Sequence, residues 1–392
     1  MENFDFCSPT RIIFGENSLS EVGKIINEYG YSNILIHYGS ERIKKNGILD
    51  EVISLIEKEH INYFLLGGVV PNPRVDLIRK GIDIVRSNKI DFILAIGGGS
   101  VIDYDKDVYD LYLDNSLAPK KALPLGSILT IPAAGSESST GSVVSNDEGN
   151  FKLALNLEIL RPIFTIMNPV YFTTLPKIEM ANGVCDMLCH IMERYFSKTH
   201  DVDFTKELSE ALMRVIIKNG LLLARDMKNI SAWSEIGISG TFAHNNLLGI
   251  GKSQDWTSHK LEHEVSALYN IAHGTGLAII FPRWMNYIIS EDQDLLFEFA
   301  VKVFGVEYPK NHILNEREKK EIKLKGIEKL LVFFKDLGLP SSLSDLGIHP
   351  DEETITTMAS KATGKAYNSE FRLGSLKQLD YLDCINIYKK CL

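Results

Sequence analysis

The chain has 392 residues, 45% of them hydrophobic and 24% charged, with a formal net charge of −9. That length supports about two domains with a sizeable core, and the acidic balance argues against nucleic acid or an anionic membrane as a partner. No apolar run reaches the roughly 18 residues of a membrane span. The opening MENFDFCSPTR has no basic and apolar leader regions, and five unevenly spaced cysteines read as free thiols in a reducing compartment, so a cytoplasmic protein is expected.

In chain order, NILIHYG (33–39) reads as a strand ending at a glycine, and ILDEVISLIEKEH (48–60) as an amphipathic helix. YFLLGGV (63–69) is strand-like, VDLIRKGIDIVRSNK (75–89) helical, DFILAIGGG a third strand and SILTIP (127–132) a fourth. Apolar strands alternating with helices predict a parallel sheet covered on both faces. Ligands bind such sheets at the carboxyl ends of the strands. Gly39, Ser40, Gly97, Gly98, Gly99, Ser100 and the run AAGSES all fall there. Beyond NPVYFTTLP (168–176) no strand alternation continues. TKELSEALMRVIIKNGLLLAR (205–225) and IEKLLVFFKDLG (327–338) carry helical stripes, and 303–318 reads as a loop. The expected organisation is an α/β domain over 1–178 and a helical domain over 179–392.

Four of the ten histidines sit in two short segments, GVCDMLCHIMERY (183–195) and DWTSHKLEHEVSALYNIAHGTG (255–276). Asp186 and His190 are four apart, as are His259 and His263, so each pair shares a helix face. His273 follows where the second helix is expected to end. One carboxylate and three imidazoles suit a tetrahedral divalent cation; the plainer alternative is solvated histidines with an i,i+4 ion pair. Cys185 and Cys189 are a rival pair, but neighbouring helix positions diverge by about 100°, so they cannot share an ion with Asp186 and His190. They read as small buried apolar residues. GKS (251–253) is not a phosphate loop, because Asn246 stands where its first glycine belongs.

These segments, in this order, resemble the iron-containing, metal-dependent alcohol dehydrogenases, in particular the butanol-dehydrogenase-like branch. The likeness covers nearly the whole chain through PTRIIFGENSLSEVG, GVVPNPRVDLIRKGI, GGGSVID, LTIPAAGSES, NPVYFTTLP, both histidine segments, LGLPSSLSDLGI and INIYKKCL. A dehydroquinate-synthase-like or polyol dehydrogenase is the less favoured relative. The resemblance implies a Rossmann-like N-terminal domain, a helical C-terminal domain and an active site between them. It implies Asp186, His190, His259 and His273 as metal ligands, for one Fe2+ or Zn2+ ion, and His263 as a catalytic histidine in the cleft. Gly97 to Ser100, Asp103, Thr130, Ser136 and Lys152 would line the dinucleotide. The expected substrates are small alcohols and aldehydes, and the expected assembly is a homodimer. After Gly39 and Ser40 come Glu41, Arg42, Lys44 and Lys45. A carboxylate there binds a ribose diol, whereas basic groups welcome a 2′-phosphate; on balance NADP(H) is favoured over NAD(H).

One stretch departs from the family pattern. In the family, GGGS and an aspartate lead into a small residue, a lysine and an apolar helix. Here Asp103 is followed by YDKDVYDLYL, which resembles a later acidic turn of the family. Read so, a helix of about three turns is missing, residues 104–116 form a short irregular connection, and Lys106 belongs to the turn. Read the other way, Lys106 is the family lysine and Asp105 takes the small-residue position. The first reading predicts weakened cofactor binding, because four aspartates would crowd the phosphates. It leaves open a catalytically silent remnant.

Overall fold

The computed structural model describes residues 1–39, 41–69, 75–113, 122–146, 151–291, 294–367 and 370–392. It divides into two compact units, Cys7–Leu175 and Met1–Phe6 with Pro176–Leu392.

The first unit is built on a six-stranded sheet. Its strands are β1 (Arg11–Phe14), β2 (Asn33–Tyr38), β3 (Asn62–Leu66), β4 (Phe92–Gly97), β5 (Leu125–Leu129) and β8 (Phe164–Met167). They run in the order β1-β8-β5-β4-β2-β3, and every pairing is parallel. β4 and β5 are buried along their whole length, as expected for central strands sandwiched between helices. Helices α1 (Val22–Glu28), α2 (Glu41–Lys45), α3 (Ile48–Lys58), α4 (Val75–Asn88), α5 (Gly99–Leu113) and α6 (Pro169–Phe172) belong to this unit. Ile34, Ile36, Tyr38, Leu94 and Ile96 join Val22, Ile26, Val52 and Ile56 in one core on one face. A two-stranded antiparallel ribbon, β6 (Gly141–Asn146) with β7 (Phe151–Asn156), stands apart from the sheet. β1, β8 and this ribbon carried no sequence expectation.

The second unit contains helices α7 (Lys177–Tyr195), α8 (Asp203–Arg225), α9 (Ile230–His244), α10 (Thr257–Tyr269), α11 (His273–Tyr287), α12 (Leu295–Glu298), α13 (Glu316–Leu337), α14 (Glu352–Ala362) and α15 (Tyr381–Lys389). α7 is buried nearly all round from Met180 to Tyr195, the mark of a central helix. Among the described residues no helix is long and apolar enough to cross a membrane.

The expected irregular connection after Asp103 is overturned. α5 continues without a break from Gly99 to Leu113; residues 114–116 lie outside the described residues. Tyr104, Asp105 and Lys106 are all buried. Read from composition, a helix with so many acidic residues looks like a solvated turn. Here Asp105 has an imidazole neighbour and the Lys106 ammonium is capped by backbone carbonyls, which offsets part of the cost of burying them in a helix. Lys106 is therefore a helix residue and not part of an acidic turn.

Candidate metal centre and nucleotide turn

α7 starts directly after Pro176, whose fixed φ suits a helix entry. Asp186 and His190 lie one turn apart on it, each 5% exposed. α10 brings His259, also 5% exposed, from a start set by Trp256 in a left-handed conformation (φ 61°). α10 then stops at Asn270 (φ 51°), and after two further residues α11 opens with His273. His273 thus begins a new helix, where the sequence suggested only the end of the previous one. Gly274 makes this possible, since a Cβ there would stand 2.3 Å from the carbonyl oxygen of Asn182 on α7. Only glycine allows α11 to approach α7 so closely.

The four side chains converge. Asp186 Oδ1 lies 3.6 Å from His190 Nε2, 3.9 Å from His259 Nε2 and 3.7 Å from His273 Nε2. Ligand atoms of Asp186, His259 and His273 fall within 4.8 Å of one another; His190 is not part of that tightest group. His190 and His259 stack at 4.9 Å between ring centroids. The distances are too long for direct hydrogen bonds and leave a gap lined by acceptor atoms. Asp186 Oδ1 and His259 Nε2 are buried without a hydrogen-bond partner. Buried polar atoms are normally paired, and a divalent cation among these donors would pair them. The donor set fits zinc or iron(II). His273 is 26% exposed at its side chain, so the cluster has an open side.

Two carboxylates that carried no sequence expectation complete it. Glu193 Oε1 lies 2.8 Å from His259 Nδ1 and also accepts the His259 backbone N–H at 3.1 Å. Glu262 Oε2 holds His273 Nδ1. Both carboxylates are fully buried. Each pins a ring so that Nε2 is left to face the gap, the usual support for metal-bound histidine. Each glutamate lies three residues after a candidate ligand on its own helix, Glu193 after His190 and Glu262 after His259, but the histidine it holds lies on another element, so the spacing did not announce the pairing. Burial pushes the Asp186 carboxyl up, but the His190, His259 and His273 imidazoles outweigh it and hold the group well below the usual carboxylate range. Burial lowers His259, yet Asp186 and Glu193 raise it to about 9 overall. Burial, and then the neighbouring His244, holds the His190 imidazole well below its usual value.

His263 is half-buried, with its ring 5.4 Å from that of His273. Its ligand atom also lies within 4.8 Å of those of Glu262 and His273. Cys185 and Cys189 are fully buried with sulfurs 4.0 Å apart. Among the described residues neither joins a metal-type cluster.

In the α/β unit, β4 ends at Gly97 and α5 begins at Gly99, so the backbone amides of a fifteen-residue helix open onto the glycine turn. Such an end favours anions. Thr130 N donates to Gly97 O at 2.9 Å, which fixes the turn against the end of β5. Thr130 and Ser136 are buried, Ser100 and Asp103 half-buried. Lys106 Nζ donates to the carbonyls of Ser136 (2.9 Å), Ser139 (3.0 Å) and Gly141 (2.7 Å), tying the AAGSES loop and the start of β6 to α5. Gly39 follows β2 directly. Lys152 lies on β7, opposite Ser145. Ser40 lies outside the described residues.

Residues 9–169 match the family described as iron-containing alcohol dehydrogenase, and residues 180–392 match the C-terminal part of the Fe-containing alcohol dehydrogenase family. The chain is 37% identical to NADH-dependent butanol dehydrogenase A of Clostridium acetobutylicum over the full length of both. It is 31% identical to the NADPH-dependent aldehyde reductase YqhD of Escherichia coli, covering 92% of this chain and 93% of that protein. The solved structure of NADH-dependent butanol dehydrogenase A from Thermotoga maritima superposes with a TM-score of 0.92 at 32% identity, over 100% of this chain and 99% of that one.

Proposed function

Because the chain belongs to the iron-containing alcohol dehydrogenase family, we propose that it interconverts small primary alcohols and aldehydes, butanol and butanal among them, with a nicotinamide cofactor. The observation that carries this is the convergence of one buried carboxylate and three imidazoles on one gap. Asp186, His190, His259 and His273 would hold a divalent ion, Fe2+ or Zn2+, which supplies Lewis-acid polarisation of the substrate oxygen. The nicotinamide supplies or accepts the hydride. Glu193 and Glu262 hold the protons on Nδ1 of His259 and His273 and so keep each Nε2 free to bind. His263 is the group we assign to carrying the hydroxyl proton between substrate and solvent; general acid–base groups of this kind act within hydrogen-bond reach or through one water.

Gly39, Gly97 to Ser100, Asp103, Thr130, Ser136 and Lys152 are assigned to the dinucleotide. The intact α5 supports this, since its amino end supplies the anion-binding amides. It also removes the sole ground for a silent remnant. For the cofactor we keep NADP(H) over NAD(H). Glu41 is engaged by Lys44 at 2.9 Å, which leaves its carboxylate less able to hold a ribose diol, while Arg42 stands beside it. The named relatives include both NADH- and NADPH-dependent enzymes.

The test is oxidation of NADPH and NADH with butanal by protein loaded with iron or zinc. Turnover that disappears on chelation and returns with metal is the expected result. No turnover of any small aldehyde by the fully loaded protein would overturn the proposal. A higher kcat/KM with NADH would overturn the cofactor choice alone.

A further inference from the structure

Asp105, in the acidic stretch of α5, does not face solvent. It is 2% exposed, and its Oδ1 lies 2.7 Å from Nδ1 of His37, which is fully buried. Tyr104, also fully buried, packs over the imidazole with ring centroids 4.3 Å apart. His37 is on β2, one position out of phase with Ile36 and Tyr38, so it points to the opposite face of the sheet from the core they share. α5 lies on that opposite face. Helices normally meet such a face through aliphatic side chains. A buried carboxylate–imidazole pair is a poor source of stability compared with apolar residues of the same size; its best-attested use is to fix register.

The pair joins β2 and α5, and each borders a glycine turn. β2 leads through Tyr38 to Gly39, and β4 ends at Gly97 just before α5. Val101 on α5 touches both. Its Cγ2 would stand 3.2 Å from a Cβ on Gly39 and 2.3 Å from one on Gly97. Asp105 is four residues further along α5, one turn down the same face. α5 is therefore wedged between the two turns at Val101 and tied to β2 at Asp105.

We propose that His37 and Asp105 are positioning residues for the dinucleotide: their buried pair locks α5 against β2 and so sets the spacing between Gly39 and the Gly97–Gly99 turn. Neither residue touches the cofactor. This rests on the assignment of those turns to the nucleotide, and the experiment separates the two claims.

The main variant is the double replacement His37→Leu, Asp105→Ala, which removes both polar groups together and leaves neither without the other. NADPH and NADH affinities are measured by fluorescence titration on the metal-loaded protein, with melting temperature, metal content and steady-state kinetics alongside. The expected result is a cofactor Kd and KM raised about tenfold, as a small misplacement of binding groups produces, with kcat at saturating cofactor, metal content and melting temperature retained. Asp105→Asn, which keeps the shape, is the milder second variant, expected to raise Kd about threefold; it decides the matter if the double variant does not fold. Gly99→Val is the control on the underlying assignment. If Gly99→Val abolishes binding while the folded pair variants bind within about twofold of the parent, the positioning proposal is overturned and the site stands. If Gly99→Val leaves binding unchanged, both fall.

Discussion

Single side chains decide the chemistry of the metal cluster, and the two buried glutamates are its sharpest test. Replacing Glu193 or Glu262 by glutamine keeps the shape and removes a charge that orients a histidine. Metal affinity should fall by about 10- to 100-fold for either variant, while circular dichroism stays that of the parent. Competition with a fluorescent chelator measures this, and unchanged affinity in both would mean that the carboxylates are merely structural. The double variant His259→Ala, His273→Ala should lose stoichiometric metal altogether; retention of a full equivalent would remove these residues from the ligand set.

Lys252 raises a different issue at the same scale. It is 7% exposed, and burial, then Arg194 and Lys206, lower its ammonium to about 7. A lysine whose folded pKa lies below its unfolded value costs stability wherever the folded protein must carry the charge. The cost is absent above the unfolded value, grows as pH falls from about 10.5, and is complete below about 7. Lys252→Met should therefore stabilise the protein by on the order of 2–4 kcal/mol at pH 6 and by less than about 1 kcal/mol at pH 10. Urea unfolding at the two pH values reads this directly. An equal effect at both would show that the gain comes from packing and not from charge.

At the scale of the element, α5 is the part where sequence and structure diverge most. Asp103, Asp105, Asp107 and Asp110 read along the chain as a solvated turn. Helix propensity is weak enough that tertiary contacts override it, and here His37 and three carbonyls supply those contacts. They come from β2 and from residues 136–141, which are distant in sequence, so no local pattern announces them. Lys106 is the element's main tie. Lys106→Met leaves three carbonyl oxygens without this donor and should cost about 2–4 kcal/mol. It should also weaken NADPH binding, because the AAGSES loop loses its anchor. Calorimetry and titration together check this, and an unchanged melting temperature would contradict the role given to the ammonium. α11 shows the complementary case. The motif around His273 was legible, but a helix starting at that residue was not, because its entry depends on Gly274 lying against Asn182 of α7.

For the whole molecule, the division at Pro176 puts the Asp186, His190, His259 and His273 cluster in one unit and the Gly97–Gly99 turn in the other. On the assignment proposed above, the helical unit holds the metal and the α/β unit the nucleotide, so each ligand should stabilise its own half by mass action. At a free concentration near 100 times Kd, a ligand that binds only the folded state adds about 2.7 kcal/mol. Chelation should thus lower the unfolding temperature of the helical unit, and NADPH should raise that of the α/β unit. Hydrogen exchange resolved by peptide assigns each change to residues. If chelation chiefly deprotects residues 7–175, the ligand is misplaced.

The sequence alone determined what depends on short-range spacing. The strands β2, β3, β4 and β5 and the helices α3 and α4 were legible because each carries its own apolar period, and i,i+4 spacing already set Asp186 with His190. The glycine turn was legible because it directly follows an apolar strand. Only the tertiary structure decided which residues meet across the chain: Glu193 with His259, Glu262 with His273, His37 with Asp105, and Lys106 with the 136–141 carbonyls. In each case a polar group is buried, and burial makes its partner obligatory. Which partner it takes depends on which distant segment folds within about 3 Å, and that distance is set by helix and strand packing, not by any pattern that can be read along the chain.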